Sequence, residues 1–167
     1  IMLVPSLQVL TPIGGAAIPM LAQIREHPEE FWDALGKTIT LIGLTVAPVM
    51  AIASILSEDI IHLWLGKKWL PSAPIFSYLA IASINIALTM PLGWALTAFG
   101  APKKLAFWTV LSLVPIIMSY LIGSLWGALA ISMAYAFTTF LLMLAFPFYA
   151  RLYLPINVHG FYKHISK

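Results

Sequence analysis

Long apolar stretches separated by short charged ones dominate this chain of 167 residues. Charged residues are absent from four stretches, 1–24, 38–57, 69–102 and 105–150. About 20 apolar residues cross the hydrocarbon core as a helix, so the first three stretches each fit one crossing and the fourth fits two. Gly123 to Gly127 interrupt the fourth stretch, which predicts a helical hairpin there. We therefore predict five transmembrane helices, near 2–22, 38–57, 73–98, 105–123 and 127–150.

Helices are favoured over strands because the apolar stretches do not alternate. Strands of a membrane barrel alternate apolar and polar residues over about 10 positions, whereas 41–44 and 140–144 are apolar on every side. Composition agrees with a lipid-solvated protein: 61% of the residues are hydrophobic and 9% are charged, against about 25% charged in soluble domains. The predicted fold class is an all-α membrane protein.

The basic residues lie mostly on one side of the predicted membrane. If the link 23–37 is cytoplasmic, that side holds seven of the nine Lys and Arg residues, namely Arg25, Lys37, Lys103, Lys104, Arg151, Lys163 and Lys167. The opposite side holds Lys67 and Lys68. This distribution satisfies the positive-inside rule and predicts a cytoplasmic tail over 151–167. The net charge of +3 is small, and we expect no nucleic-acid partner.

Two connections between the predicted spans are polar but keep large apolar residues. The first, 25–37, has Pro28 at a suitable first helical position and predicts a helix on the membrane surface, with Phe31 and Leu35 facing lipid. The second, 58–71, predicts a short interfacial helix followed by a turn. Its tryptophans, Trp64 and Trp69, are expected at the level of the lipid headgroups.

Candidates for catalytic chemistry are few. All six carboxylates lie in the two connections, where His27 and Glu30, like Asp59 and His62, are three residues apart. Neither pair has a third ligand nearby, so we predict no metal site. The chain has no cysteine, and no histidine lies near the serines at membrane depth. We expect neither a catalytic site nor a cofactor.

Polar residues at membrane depth are the better candidates for function. The predicted spans carry no ionisable residue, and Asn85 and Thr89 are the strongest polar pair, four residues apart on one helix face. Together with Trp94 they are candidates for lining a substrate pathway. The alternative is an ordinary interhelical hydrogen bond for Asn85 and Thr89 and a packed ring for Trp94.

Two segments carry a resemblance to a known family. They are Gly66-Lys67-Lys68-Trp69-Leu70-Pro71-Ser72-Ala73-Pro74-Ile75 and Gly93-Trp94-Ala95-Leu96-Thr97-Ala98-Phe99-Gly100, the latter followed by Lys103 and Lys104. Pro12, Ala16 and Pro19 ahead of the charged link add to it. The chain resembles the polysaccharide flippases of the multidrug/oligosaccharidyl-lipid/polysaccharide exporter superfamily. Within these segments, Gly66, Trp69 and Gly100 are identified as structural motif residues.

The resemblance implies a transporter with twelve to fourteen helices in two bundles around a central cavity. The chain would supply most of the second bundle, and because it opens at Ile1 inside an apolar run, we expect an N-terminal bundle of the same protein as its partner. The implied substrate is an undecaprenyl-diphosphate-linked oligosaccharide, flipped by alternating access across the bacterial cytoplasmic (inner) membrane. Candidates for contact with the diphosphate at the membrane edge are Lys67, Lys68, Lys103 and Lys104.

Three alternatives remain open at this point. A multidrug antiporter of the same superfamily would share the two bundles but would need a buried carboxylate. A membrane-embedded enzyme acting on lipid-linked sugars would use acids at the interface, for which Glu58, Asp59 and His62 are the candidates. A structural membrane subunit without a transport role is the third.

Overall fold

The computed structural model describes residues 3–154, with side chains from Ile13 onward. Six α-helices and one short 3-10 helix make up this part of the chain, which contains no strand. The α-helices are α1 (Leu3–Gln23), α2 (Pro28–Ile55), α3 (Ser57–Leu65), α4 (Ala73–Ala98), α5 (Pro102–Ser124) and α6 (Ala128–Arg151), and the 3-10 helix is Lys67–Ser72. Of the predicted tail 151–167, residues 155–167 lie outside the described residues.

Prolines and glycines define the connections between these helices. Pro28 and Pro102 begin α2 and α5, where the missing N–H has no intrahelical partner to lose. Gly66, Gly100 and Gly127 have positive φ angles of 85°, 72° and 97°. Such angles strain any residue that has a Cβ, so each glycine permits the chain to reverse between helices.

Four segments of the described chain are long and apolar enough to cross a membrane: Pro28–Ile55, Lys67–Ala98, Pro102–Ser124 and Ala128–Arg151. Ahead of them, α1 is 21 residues long, and the part whose side chains are described, Ile13–Gln23, is apolar. Large apolar side chains also cover the outer surface of α2, α5 and α6. The predicted fold class is confirmed, and the protein is an all-α, multi-pass membrane protein.

The structure corrects the prediction for the first polar connection. Residues 28–37 do not form a separate surface helix, because they are the first turns of α2, which continues to Ile55. Phe31 and Leu35 do not face lipid, since their exposed fractions are 0% and 1%. A helix of 28 residues is about 42 Å long, longer than the hydrocarbon core of about 30 Å, so the charged first turns extend past it.

Helix α4 lies at the centre of the bundle. It packs against α1 and α2 on one side and α6 on the other, while α5 packs mainly against α6. Many of its buried residues are small, and they include Ala73, Ala80, Ala82, Ser83, Ala87, Gly93, Ala95 and Ala98. Small residues permit close approach of helices in a membrane, where packing rather than water drives association.

The largest buried cluster lies at one end of the bundle, which we call the Arg25 end. It joins the end of α1, the start of α2 and the ends of α4 and α6 through Leu21, Phe31, Leu35, Ala95, Leu96, Ala98, Phe146, Ala150 and Leu154. Phe31 meets Phe99 edge to face, with ring centroids 4.7 Å apart. The buried position of Phe31 and Leu35 follows from this cluster. The opposite end, which holds α3 and the α5–α6 turn, we call the Trp126 end.

The α5–α6 hairpin forms where it is predicted, but its two glycines have different roles. Gly127 has the positive φ that the turn needs. Gly123 lies inside α5, and a Cβ added there would be only 2.6 Å from the Cα of Ile131 in α6. Gly123 therefore permits close packing of the two helices and does not form the turn.

Candidate functional site: polar residues at membrane depth and basic residues at the membrane edge

Asn85 lies at the middle of α4 and connects it to α6. Its side chain is 7% exposed, and its Nδ2 donates hydrogen bonds to the Thr139 hydroxyl at 3.2 Å and the Ala136 carbonyl at 3.4 Å. The Thr139 hydroxyl in turn donates to the Ala136 carbonyl at 2.9 Å. Because that hydroxyl uses its only proton on Ala136, it accepts from Asn85, and this determines which atom of the amide faces α6.

The other end of the Asn85 amide, Oδ1, has no donor among the residues with described side chains. Nδ2 donates to two acceptors on α6, and among the residues with described side chains no hydrogen bond to Oδ1 is found. A buried carbonyl without a donor costs about 1–3 kcal/mol. In the hydrocarbon region no bulk water compensates for this cost. Among the residues with described side chains, Asn85 thus offers an acceptor without a donor at the middle of α4.

Thr89 is close to Asn85, but Trp94 is not on the same side of α4. The Thr89 hydroxyl donates to the carbonyl of Ile86 at 2.8 Å, within its own helix. Trp94 packs against the cluster of Ile42 and Ala87, between α2 and α4. Nine residues at 100° each turn the helix by about half a circle, so Asn85 and Trp94 face opposite directions. The structure thus brings together two of the three pathway candidates.

Most other buried hydroxyls bond to the helix that carries them. Ser83, Ser119 and Ser132 donate to the carbonyls of Leu79, Ile116 and Leu129. The half-buried hydroxyls of Ser54 in α2 and Ser77 in α4 instead form a hydrogen bond of 2.7 Å between two helices. Sequence analysis identified neither this pair nor Thr139, since serine and threonine are common in membrane helices and only the register between helices selects partners.

The basic candidates form two pairs at opposite ends of the bundle. Lys103 and Lys104 lie in the first turn of α5, at the Arg25 end. The Lys104 ammonium lies 4.8 Å from the centre of the Tyr153 ring, and the Tyr149 hydroxyl donates to the Lys104 carbonyl at 2.9 Å. Lys67 and Lys68 lie in the 3-10 helix at the Trp126 end, and both are exposed.

The three motif residues lie at the boundaries of helices. Gly66 caps the end of α3 and donates its N–H to the His62 carbonyl at 3.0 Å. Trp69 follows in the 3-10 helix with an exposed fraction of 52%, and Trp64 on α3 is 80% exposed. Gly100 turns the chain between α4 and α5. Trp64 and Trp69 have the exposure expected of rings at the membrane interface.

Charged groups are confined to the ends of the described helices. Lys37 and Asp33, one turn apart in the first part of α2, form an ion pair at 2.6 Å. No three His, Asp or Glu side chains of the described chain gather around one point. The interfacial acids Glu58 and Asp59 lie in the first turn of α3. Their negative charges there interact favourably with the positive end of the helix dipole and stabilise the helix.

Comparison with known proteins gives one match. Residues 1–74, which cover α1, α2, α3 and the 3-10 helix, match the family described as polysaccharide biosynthesis protein. Neither the curated proteins nor the solved structures give a match. The match covers less than half of the chain and supports a role in polysaccharide synthesis or transport.

Proposed function

We propose that the protein takes part in flipping an undecaprenyl-diphosphate-linked oligosaccharide across the bacterial cytoplasmic membrane during synthesis of a surface polysaccharide. The observation that carries this proposal is the family match over residues 1–74, on a chain whose helices are those of a multi-pass membrane protein. Where polysaccharide synthesis uses lipid-linked sugars, the sugar must reach the other leaflet of the membrane. The chain serves that step as part of a two-bundle transporter with an N-terminal bundle.

The physical task is to move a polar headgroup through hydrocarbon while its lipid tail stays in the bilayer. A pathway between two bundles that open alternately to each side removes most of the desolvation cost, provided that it offers hydrogen-bonding groups near the midplane. Asn85 supports this role, since none of the residues with described side chains donates to its Oδ1 at the middle of α4. A sugar hydroxyl is a suitable donor. Thr89 lies one turn further along the same side, whereas Trp94 holds α4 against its other neighbours.

Orientation follows from the basic residues. The Arg25 end carries five described basic residues, namely Arg25, Lys37, Lys103, Lys104 and Arg151, and the Trp126 end carries Lys67 and Lys68. The positive-inside rule then places the Arg25 end in the cytoplasm. With this orientation, Lys67 and Lys68 are on the outer surface, where a basic pair beside Trp69 is suited to the diphosphate of an arriving lipid.

The proposed reaction is transport without covalent chemistry, so the protein is not an enzyme in this scheme and requires no cofactor. The interfacial acids Glu58 and Asp59 then have a structural role in α3. Replacing both by alanine should leave more than half of the transport rate. Complete loss with normal folded yield would favour an enzyme that acts on lipid-linked sugars.

A flipping assay tests the proposal directly. The intact protein is reconstituted into liposomes of bacterial phospholipids that contain a lipid-linked oligosaccharide with a fluorophore on the sugar, and a membrane-impermeant reductant destroys fluorophores in the outer leaflet. We expect the protected fraction to fall well below half with protein and to stay near half without it. No difference between the two preparations contradicts the proposal. Uptake of a fluorescent organic cation against a proton gradient would instead favour the antiporter.

A further inference from the structure

The Arg25 end carries a cluster of aromatic rings between α5 and α6, which we call the aromatic collar: Trp108, Phe146, Tyr149 and Tyr153. Trp108 stacks on Phe146 with centroids 5.1 Å apart and contacts Tyr149 at 4.9 Å. Tyr149 contacts Tyr153 at 5.2 Å. Tyrosine and tryptophan favour the membrane interface because one end of each ring system is apolar and the other forms hydrogen bonds. The collar therefore marks the level of the lipid headgroups on this side.

Lys104 is attached to the collar by two contacts. Its ammonium lies 4.8 Å from the centre of the Tyr153 ring, and its backbone carbonyl accepts the 2.9 Å hydrogen bond from the Tyr149 hydroxyl. A cation held over an aromatic ring loses less conformational freedom when it binds a ligand than a free lysine side chain does. The positive charge of Lys104 is thus kept at the headgroup level.

No carboxylate of the described residues neutralises this positive charge. The first turn of α5 contains Lys103 and Lys104 and no acidic residue. Within the described part of the chain, neither lysine forms an ion pair with a carboxylate, whereas Lys37 at the same end of the bundle is paired with Asp33 at 2.6 Å. Two adjacent charges of the same sign at one membrane edge attract an anionic headgroup.

Below the two lysines, α5 presents an apolar stripe to its surroundings. Phe107, Val110 and Val114 are exposed and lie four, seven and eleven residues after Lys103, on one helix face. From Lys103 to Val114 the helix rises about 16 Å, close to the thickness of one hydrocarbon leaflet, about 15 Å. The surface therefore has basic groups at the headgroup level and an apolar track one acyl chain deep.

We propose that this surface binds an anionic phospholipid of the bilayer, with its phosphate at Lys103 and Lys104 and an acyl chain along Phe107, Val110 and Val114. The positive charge at the headgroup level matches the phosphate of such a lipid, and the length of the apolar stripe matches its acyl chain. We take the bound lipid to be a resident of the leaflet and not the transported molecule, and competition by the lipid-linked oligosaccharide distinguishes the two. The inference goes beyond the proposed transport function and does not depend on it.

Lipid titration followed by native mass spectrometry tests the site. The intact protein in detergent is titrated with phosphatidylglycerol and, separately, with phosphatidylcholine as the zwitterionic probe. Loss of one surface lysine should weaken phosphatidylglycerol binding about fivefold, so we expect this for Lys104→Gln. Lys37→Gln removes one charge from the same end and serves as the matched control, for which we expect less than a twofold change. Lys104→Arg keeps the charge and the contact with Tyr153, and should restore binding.

The outcomes separate the possible ligands. Equal weakening by Lys104→Gln and Lys37→Gln would overturn the proposal, because net charge alone would then explain binding. Equal loss of phosphatidylcholine binding would also overturn it, since the headgroup charge would be irrelevant. If the lipid-linked oligosaccharide displaces phosphatidylglycerol from the intact protein and this displacement is lost in Lys104→Gln, the site belongs to the substrate and the assignment to a resident lipid is wrong.

Discussion

Gly14 in α1 lies directly against the ring of Trp94 in α4. A Cβ added at Gly14 would be 2.9 Å from both Cε2 and Nε1 of the indole. The same ring packs against Ile42 and Ala87, at the contact of α2 with α4. Trp94 therefore joins three helices, and the absence of a side chain at Gly14 permits α1 to approach it.

We predict that Gly14→Ala destabilises the protein although alanine is the better helix former. The added methyl must move α1 or the indole by several tenths of an ångström, and overpacking of this kind costs about 1–3 kcal/mol. Thermal unfolding in detergent measures the effect. Gly15→Ala is the matched control, because nothing lies within 4 Å of a Cβ there, and the gain in helix propensity should leave it neutral or slightly stabilised. Equal melting temperatures for the two variants would contradict the packing of Gly14 on Trp94.

The contrast between Gly14 and Gly15 marks the limit of what the sequence could predict. Stretches without charge located the membrane helices because their length is set by the bilayer. Neither their length nor their composition distinguishes the two glycines, since α1 and α4 are apolar on most sides and have little amphipathic pattern. The partner of Gly14 is 80 residues away along the chain, and only the packed bundle reveals it.

We predict a larger effect for Gly123→Ala in the α5–α6 hairpin. The new Cβ would meet the Cα of Ile131 at 2.6 Å and its backbone nitrogen at 2.9 Å. Backbone cannot rotate away as a flexible side chain can, so the helices must separate. We expect a loss of about 2–3 kcal/mol in unfolding free energy, measured as folded yield and melting temperature. Gly36→Ala in α2 is the control, because its Cβ would meet nothing within 4 Å. If Gly123→Ala is as stable as the unmodified protein, α5 and α6 must lie farther apart than the 2.6 Å contact with Ile131 implies.

The error over Phe31 and Leu35 has a physical cause. Their spacing of one turn correctly predicted a shared apolar face, but an apolar face in a membrane protein contacts either lipid or another helix. Both residues are buried because the ends of α1, α4 and α6 meet at that position. Spacing along one helix carries no information on this choice.

Trp69→Ala should lower the folded yield in the membrane more than it lowers transport per folded molecule. Trp69 is about half exposed in the 3-10 helix that leads into α4, and a ring at the interface sets the depth of the helix that follows. Folded protein per membrane area and the flipping rate per molecule are measured together. Ala substitution of Trp64, which is more exposed on α3, provides the comparison. Normal yield with lost transport would place Trp69 in the transport step.

The strongest test of the substrate pathway separates the two ends of the Asn85 amide. Thr139→Val removes the hydroxyl that accepts from Nδ2 at 3.2 Å but leaves Oδ1 in place. Asn85→Val removes both ends with a side chain of similar size. Interhelical hydrogen bonds in membranes contribute about 0.6 kcal/mol on average, so Thr139→Val should lose a small amount of stability. Asn85→Val loses the same bond but also removes the buried Oδ1, so it should be no less stable than Thr139→Val.

Transport then distinguishes the two roles. If Oδ1 accepts a hydrogen bond from the moving headgroup, Asn85→Val should lower the flipping rate about tenfold or more, because a lost hydrogen bond of about 1.4 kcal/mol changes a rate tenfold. Thr139→Val should keep most of the rate. The flipping assay with both variants, normalised to folded protein, measures this ratio. Equal rates for the two variants would mean that Asn85 serves only to hold α4 against α6, and that the polar pathway lies elsewhere in the protein.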